Sequence, residues 1–228
     1  MLIGGTGQIG YAITNFFIQR NWEVYMEQCF LKHSHKPVTI LRPCAVYGIC
    51  SQHPREWWFI KRILDKRPYI PLKYNGESTF HITLTQNIAK VIWASIDNMD
   101  FQIVNVADRT ILSAKEIGEY IIVQLNSITK FISTDSAIIE DALVGFTPWS
   151  VSTPFTLDIS YCKSLLDKVG LDLGCYTRDS RKYISWLASF SPLNWEKHFK
   201  QLAAYPFEQF DYHNEDQFIK KLIVGKND

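Results

Sequence analysis

The stretch Met1-Leu-Ile-Gly-Gly-Thr-Gly-Gln-Ile-Gly10 joins a short apolar run to a glycine-rich turn and the start of a helix, and its reading decides the fold. Gly4, Gly7 and Gly10 stand at G-x-x-G-x-x-G spacing. Each glycine has a physical task in a phosphate-binding turn: unusual backbone angles, close approach of backbone to a pyrophosphate, and tight packing of helix on sheet. A helix that follows such a turn directs its unpaired N–H groups and positive dipole end at the phosphate. Three glycines also make ordinary turns, so context has to decide. Ile9, Ile13, Phe16 and Phe17 fall on one face of a helix ending near Asn21, and Glu23-Val-Tyr-Met26 reads as a second strand. That is the β-α-β order in which a dinucleotide-binding turn occurs.

Outward from this stretch, the chain as a whole sets bounds. Its 228 residues, 46% of them apolar, suffice for one large domain or two small ones with a real core. With 24 basic and 23 acidic residues the net charge is +1, which gives no electrostatic case for nucleic acid or an anionic membrane as a partner. The N-terminus shows no signal-peptide pattern and no run approaches the ~18 apolar residues of a membrane span, so a cytoplasmic protein is expected. Five cysteines (Cys29, Cys44, Cys50, Cys162, Cys175), with no C-x-x-C pair, suit reduced thiols. The pair His33 and His35 has no zinc-ligand spacing around it, so no metal is expected and a solvated loop is the simpler reading.

After residue 36 the pattern continues as alternating strands and helices. Pro37-Val-Thr-Ile-Leu-Arg-Pro43 reads as a strand buried through Val38, Ile40 and Leu41, and Cys44-Ala-Val-Tyr-Gly48 as a strand end passing into a turn. In open α/β sheets, strand ends of this kind are where ligands sit. Trp57, Trp58, Ile60, Ile63 and Leu64 follow at helical spacing and read as packing residues, with a stacking site as the competing role. Residues 66–79, with Asn75-Gly76, predict a hairpin or arm. Thr85 is placed to cap a helix whose apolar positions are Ile88, Val91, Ile92 and Ile96, and Phe101-Gln-Ile-Val-Asn-Val106 reads as the next strand. Ser113 and Glu116 form a capping-box pattern ahead of Ile117, Tyr120, Ile121 and Leu125. A strand near residues 130–132, a helix from Ser160 stopping at Gly170, a helix marked by Tyr183, Trp186 and Leu187, and short aromatic-rich helices beyond Asn194 complete the reading.

Four of these stretches together resemble the extended short-chain dehydrogenase/reductases, the NAD-dependent epimerase/dehydratase family. The turn of residues 4–10 is similar to that family's cofactor loop, and Val38-Thr-Ile-Leu-Arg-Pro-Cys-Ala-Val-Tyr-Gly48 to its sixth strand and the turn beside the nicotinamide. Residues 58–89 look like its helix, hairpin and return helix, and residues 101–113 like its last strand and the start of its substrate portion. The resemblance implies NAD or NADP as cofactor, with Gly4, Thr6, Gly7, Gln8, Ile9 and Gly10 at the phosphates and Pro43 and Val46 near the nicotinamide. It implies a hydroxyl-bearing substrate such as a nucleotide sugar, and it is compatible with a homodimer.

The chain also departs from the family. Between the second and sixth strands the family holds three further strands and a catalytic Tyr-x-x-x-Lys, whereas here Met26 and Pro37 are eleven positions apart. A β-α-β unit needs about thirty residues, so the chain is shortened relative to the family by on the order of a hundred. Tyr25-Met-Glu-Gln-Cys29 has cysteine where the lysine belongs, so Tyr25 would stay a neutral phenol with a pKa of about 10 and is not assigned the catalytic role. Leu84-Thr-Gln-Asn87 replaces a His-Val-x-Asp entry to the return helix, and Ile49 replaces a proline. Glu27, 17 positions past Gly10, is either the acid that meets an NAD ribose or an ordinary residue of the segment leading to Pro37. In the first case NAD is favoured over NADP.

The expectation is therefore an α/β protein with a Rossmann-like, mostly parallel sheet of reduced strand number and a smaller, mostly helical C-terminal portion. Residues 1–112 form the dinucleotide-binding domain, with an insertion at about 49–77, and residues 113–228 the substrate-type portion. Two functions stay open: an oxidoreductase or epimerase using a substitute base drawn from Glu27, Cys44, Tyr47 or His81, and a dinucleotide-binding module, or internally deleted relative, without turnover. Catalytic residues are left unassigned.

Overall fold

The computed structural model describes residues 37–97, 100–133, 143–206 and 208–224. The glycine turn of residues 4–10, the helix and strand expected after it, Tyr25, Glu27, Cys29 and the His33/His35 pair lie outside the described residues.

Six strands are seen among the described residues, in three parallel pairs. β1 (Thr39–Pro43) runs beside β5 (Gln102–Val106), β2 (Ala45–Tyr47) beside β4 (Ile82–Leu84), and β3 (Tyr69–Leu72) beside β6 (Lys130–Ser133). Parallel neighbours cannot be joined by a tight turn and need crossovers, here carried by helices. α1 (Trp57–Leu64) follows β2, α2 (Thr85–Ala94) links β4 to β5, and α3 (Ala114–Gln124) precedes β6. β5 alternates in burial, with Gln102, Val104 and Val106 inward, as a strand covered on one face requires. The strand expected at residues 37–43 is present, but Val38, Ile40 and Leu41 are only half-buried.

Three further expectations are corrected. Residues 66–79 do not form a hairpin. β3 pairs with β6 instead, and Tyr74, Asn75 and Gly76 take successive left-handed angles (φ 53°, 55° and 73°) that turn the chain out of the sheet rather than back along β3. Thr85 does not cap α2: Leu84 is the N-cap residue and the Thr85 hydroxyl bonds Gln86. Ile96 lies beyond the end of α2 and is 63% exposed, whereas Val91 is fully buried. Other local readings hold. Ser113 Oγ accepts from the Glu116 amide while the Glu116 carboxylate accepts from the Ser113 amide, a complete capping box at the start of α3. The tryptophans of α1 are packing residues, with Trp57 and Trp58 inside the main core.

Two apolar clusters hold these elements. The larger joins Trp57, Phe59, Ile70, Leu72, Ile117, Trp149, Leu187 and Phe199. The smaller joins Val91 of α2, Val104 and Val106 of β5 and Leu165 and Leu166 of α4 (Ser160–Asp167), whose chain stops at Gly170 in left-handed geometry (φ 68°). α5 (Tyr176–Asp179) and α6 (Arg181–Ala188) carry Tyr176, Tyr183 and Leu187 into the larger core. α7 (Lys200–Ala203) and α8 (His213–Val224) close the chain, α8 being tied to α1 by the buried Arg62–Glu215 pair. No helix among the described residues is long and apolar enough to cross a membrane.

Candidate functional site

The carboxyl ends of β1 and β2 open into a cleft of about 560 Å3. Its floor is the segment from Pro43 to Gly48, and its walls include Arg55, Phe80, Thr85 and Phe155. A volume of this size lies within the ~300–1,000 Å3 of ordinary ligand pockets. The position follows from the topology: backbone groups at the ends of parallel strands are released from the ladder, and the turns beyond them are free to line a site. Pro43 and Val46, singled out in the sequence, both line this cleft. Their counterparts at residues 4–10 and Glu27 lie outside the described residues.

The turn is shaped by Gly48, whose φ of 151° is one that L-residues rarely adopt. A Cβ there would overlap Thr85 Oγ1 and lie 3.0 Å from Thr85 Cγ2, so the chain passes the first residue of α2 at backbone distance. The Cys44 amide donates to Val106 O (3.2 Å) and to Thr83 Oγ1 (2.9 Å), and the Thr83 hydroxyl donates to Val106 O (2.7 Å), which stitches β1, β4 and β5 together beneath the cleft. Phe80 and Phe155 stack at 4.8 Å to form an apolar wall.

Behind the floor lies a buried polar network centred on Asp108. Its Oδ2 accepts from the Tyr47 hydroxyl (2.6 Å), and its Oδ1 accepts from the Leu84 amide (2.8 Å) and Asn87 Nδ2 (2.9 Å). Asn87 in turn accepts from the Gly174 amide at 2.7 Å. Burial pushes the Asp108 carboxyl up to about 7, against the three hydrogen bonds that favour its ionised form. Glu56, ahead of α1, is also fully buried and pushed up by burial, and it accepts from the Tyr183 hydroxyl at 2.9 Å. The rings of Tyr47, Tyr176 and Tyr183 lie between these two carboxyls, at 5.2 and 5.8 Å from one another through Tyr47.

These surroundings decide the fate of the three described candidate bases. Tyr47 is structural: burial and the Asp108 carboxylate raise its phenol far above the ordinary range, and its proton is already donated. His81 is likewise structural. Its Nε2 donates to Asp108 O (2.9 Å) and its Nδ1 accepts from the Leu157 amide (3.3 Å), while burial lowers its pKa, so both nitrogens are occupied in the neutral ring. Cys44 lines the cleft, but burial raises its thiol, which leaves little thiolate at neutral pH. His53, pushed down to about 4 by burial, is a neutral ring stacked on Tyr205 at 5.2 Å.

Arg55 was not singled out in the sequence, and it is the one formally charged side chain among the described residues lining the cleft. Its only sequence signal was its place in the loop that follows a strand end, eight positions past Tyr47 and beside the acidic Glu56. Asp108, two residues past β5, carried the same positional signal and was missed for the same reason. The arrangement can bind an anionic ligand with an apolar portion, with Arg55 and the N-terminal end of α2 at Thr85 supplying positive potential and Val46, Phe80 and Phe155 supplying apolar surface.

Comparison with protein-family models finds no match, and comparison with curated proteins finds none either. Solved structures do match. The UDP-glucose 4-epimerase of Thermus thermophilus, in complex with NAD, superposes with a TM-score of 0.53 at 13% identity, over 75% of this chain and 52% of that one. The dTDP-glucose 4,6-dehydratase of Bacillus anthracis, in complex with NAD, gives 0.51 at 14% identity, over 77% and 50%. The UDP-glucuronic acid 4-epimerase of Bacillus cereus, in complex with UDP-glucuronic acid and NAD, gives 0.50 at 16% identity, over 82% and 57%. The chain thus spans about half the length of the solved structures it matches. At such identities the likeness is one of backbone, and it shows that the chain has a Rossmann-like α/β fold with parallel strands.

Proposed function

We propose that this chain is an NAD(P)-binding protein of the epimerase/dehydratase type, which holds a nicotinamide dinucleotide across the carboxyl ends of β1 and β2. The observation that carries this reading is the cleft itself, a 560 Å3 opening at parallel strand ends with Pro43 and Val46 in its lining and Arg55 as its cation. The residues present fit such a ligand. Val46 and Pro43 offer apolar surface, and Arg55 can meet a phosphate or sugar-acid group of the ligand or of a substrate beside it. When bound, a nicotinamide ring supplies a hydride acceptor or donor. The solved structures of similar fold that contain NAD support the choice of cofactor, with residues 4–10 at the pyrophosphate and Glu27 favouring NAD over NADP.

A second reading, favoured by one observation, is binding without turnover. Oxidation of an alcohol needs a base for the hydroxyl proton, and Tyr47, His81 and Cys44 are each committed or held in the wrong protonation state. Under this reading the polar network under the cleft is there to hold the floor rather than to move protons. Calorimetric titration with NAD and NADP tests the binding they share: saturable heat is expected, stronger for NAD, and reduced by Arg55→Ala. Absence of heat for both cofactors from a folded chain defeats the proposal. Incubation with NAD and a panel of sugar nucleotides then separates the two readings, since turnover gives a change at 340 nm or a new epimer by NMR and a binding module gives neither.

A further inference from the structure

Residues 151–157 run as a strap along residues 78–81, the chain that leads into β4. The Ser78 hydroxyl donates to Val151 O (3.0 Å) and accepts from the Val151 amide (3.1 Å). The Phe155 amide donates to Thr79 O (2.9 Å), the His81 amide donates to Phe155 O (2.8 Å), and the Leu157 amide donates to His81 Nδ1 (3.3 Å). Residues 152–156 are all exposed, and Phe155 grips through its stack on Phe80. A segment with so much exposed backbone and so few apolar contacts opens at low local cost. Phe80 and Phe155 also wall the cleft, so the place of the strap sets the shape of that wall.

The ring of His81 decides whether the strap is held. An amide N–H can only donate, so Nδ1 is the lone-pair nitrogen and the ring proton sits on Nε2, which donates to Asp108 O (2.9 Å). A second proton can enter only at Nδ1, where it would meet the Leu157 N–H with no acceptor between them. Protonation of the ring and the Leu157 bond therefore exclude each other. Few charges surround this 1%-exposed side chain. Burial opposes the second proton first, and the Lys163 ammonium of α4 adds to it. Asp108 presents its backbone carbonyl to the ring, while its carboxyl accepts from Tyr47, Leu84 and Asn87. Asp158, next to Leu157, has its carboxylate held by the Ser160 amide (2.8 Å). Once Leu157 moves off, Nδ1 is free to take a proton as an ordinary histidine does.

We propose that His81 is a pH-sensitive latch on the strap of residues 151–157: a second proton on its ring releases the Leu157 amide and loosens the Phe80–Phe155 wall of the cleft. The latch does not rest on the dinucleotide reading, because its readout is the strap itself and no ligand is added.

The test is amide hydrogen exchange of the full chain at pH 7.5 and pH 5.5, corrected for the intrinsic effect of pH. A base whose closed-state pKa is lowered holds the strap above the ordinary value of ~6.5 and lets it go as pH falls below. The protection of the Leu157 and Phe155 amides should thus fall about threefold or more between the two conditions, with a ceiling of ~tenfold because 5.5 lies one unit below the ordinary value. The Ile121 amide of α3, in the core, should keep its protection. His81→Asn places an amide oxygen where Nδ1 stands, an acceptor that does not titrate, and the fall with pH should disappear. His81→Gln keeps a donor for Asp108 O and removes the acceptor for Leu157, so the strap should exchange fast already at pH 7.5. Unchanged protection of Leu157 or Phe155 in the wild-type chain, an equal fall at Ile121, a fall retained in His81→Asn, or wild-type protection in His81→Gln each overturns the proposal.

Discussion

Replacing Asp108 with asparagine tests whether the network beneath the cleft is built around a carboxyl that resists ionisation. Its folded pKa of about 7 lies above the ordinary value of 3.8, so ionisation costs the native state more than the unfolded one. Stability from this group is therefore fully present below pH ~4, is lost progressively as pH rises toward 7, and levels off above that. A tenfold difference in acidity between the folded and unfolded chain is worth ~1.4 kcal/mol, so between pH 5 and pH 8 the wild-type chain should lose about 2.5 kcal/mol through Asp108. His53, pushed down to about 4, contributes in the opposite direction over pH 4 to 6.5, and it is common to both proteins. Asp108→Asn keeps an acceptor for the Leu84 amide and Asn87, whereas the Tyr47 hydroxyl loses its acceptor, a cost of about 1 kcal/mol that does not vary with pH. Urea denaturation of both proteins at pH 5 and pH 8 isolates the Asp108 contribution. The stability of the variant relative to wild type should improve by about 2.5 kcal/mol from the lower pH to the higher. A difference that stays constant to within ~0.5 kcal/mol refutes the raised pKa of Asp108.

Gly48→Ala should destabilise the fold by about 1–3 kcal/mol, through its φ of 151° and the overlap with Thr85, and added Thr85→Ala should recover only the overlap part. Arg62→Met should cost about 3–5 kcal/mol because it leaves Glu215 buried and uncompensated, and adding Glu215→Leu should return most of that loss in chemical denaturation. Ser113→Ala should cost about 1 kcal/mol by removing the cap on the Glu116 amide, read as a shift in the denaturation midpoint. Iodoacetamide at pH 8 should modify exposed Cys50 well before Cys162, whose thiol burial pushes up to about 11, and peptide mapping by mass spectrometry reads the order; faster loss of Cys162 would show that α4 opens readily.

What the sequence disclosed and what it hid divide along the distance over which an interaction acts. The Ser113–Glu116 box spans three positions and the α1 packing face eight residues, so both were legible from spacing alone. Asn75-Gly76 is an equally local signal, and it misled because the residues that decide the conformation of β3 are those of β6, some sixty positions later. A turn signal reports only that the chain bends, whereas strand pairing is settled by which partner buries the exposed ladder. The candidate site obeys the same rule. No window of sequence ties Tyr47 to its acceptor Asp108, 61 positions away, or His81 to its partners, the backbone of residues 108 and 157. Arg62 and Glu215 are 153 positions apart, so their pairing left no trace in any window of sequence. Each of these side chains is ionisable or hydrogen-bonding, and sequence reasoning credits such residues with chemistry by type. Burial then assigns them a partner and a protonation state, and the chemistry available to the cleft is what remains after those assignments: apolar surface at Pro43, Val46, Phe80 and Phe155 and a cation at Arg55, an arrangement suited to holding a ligand.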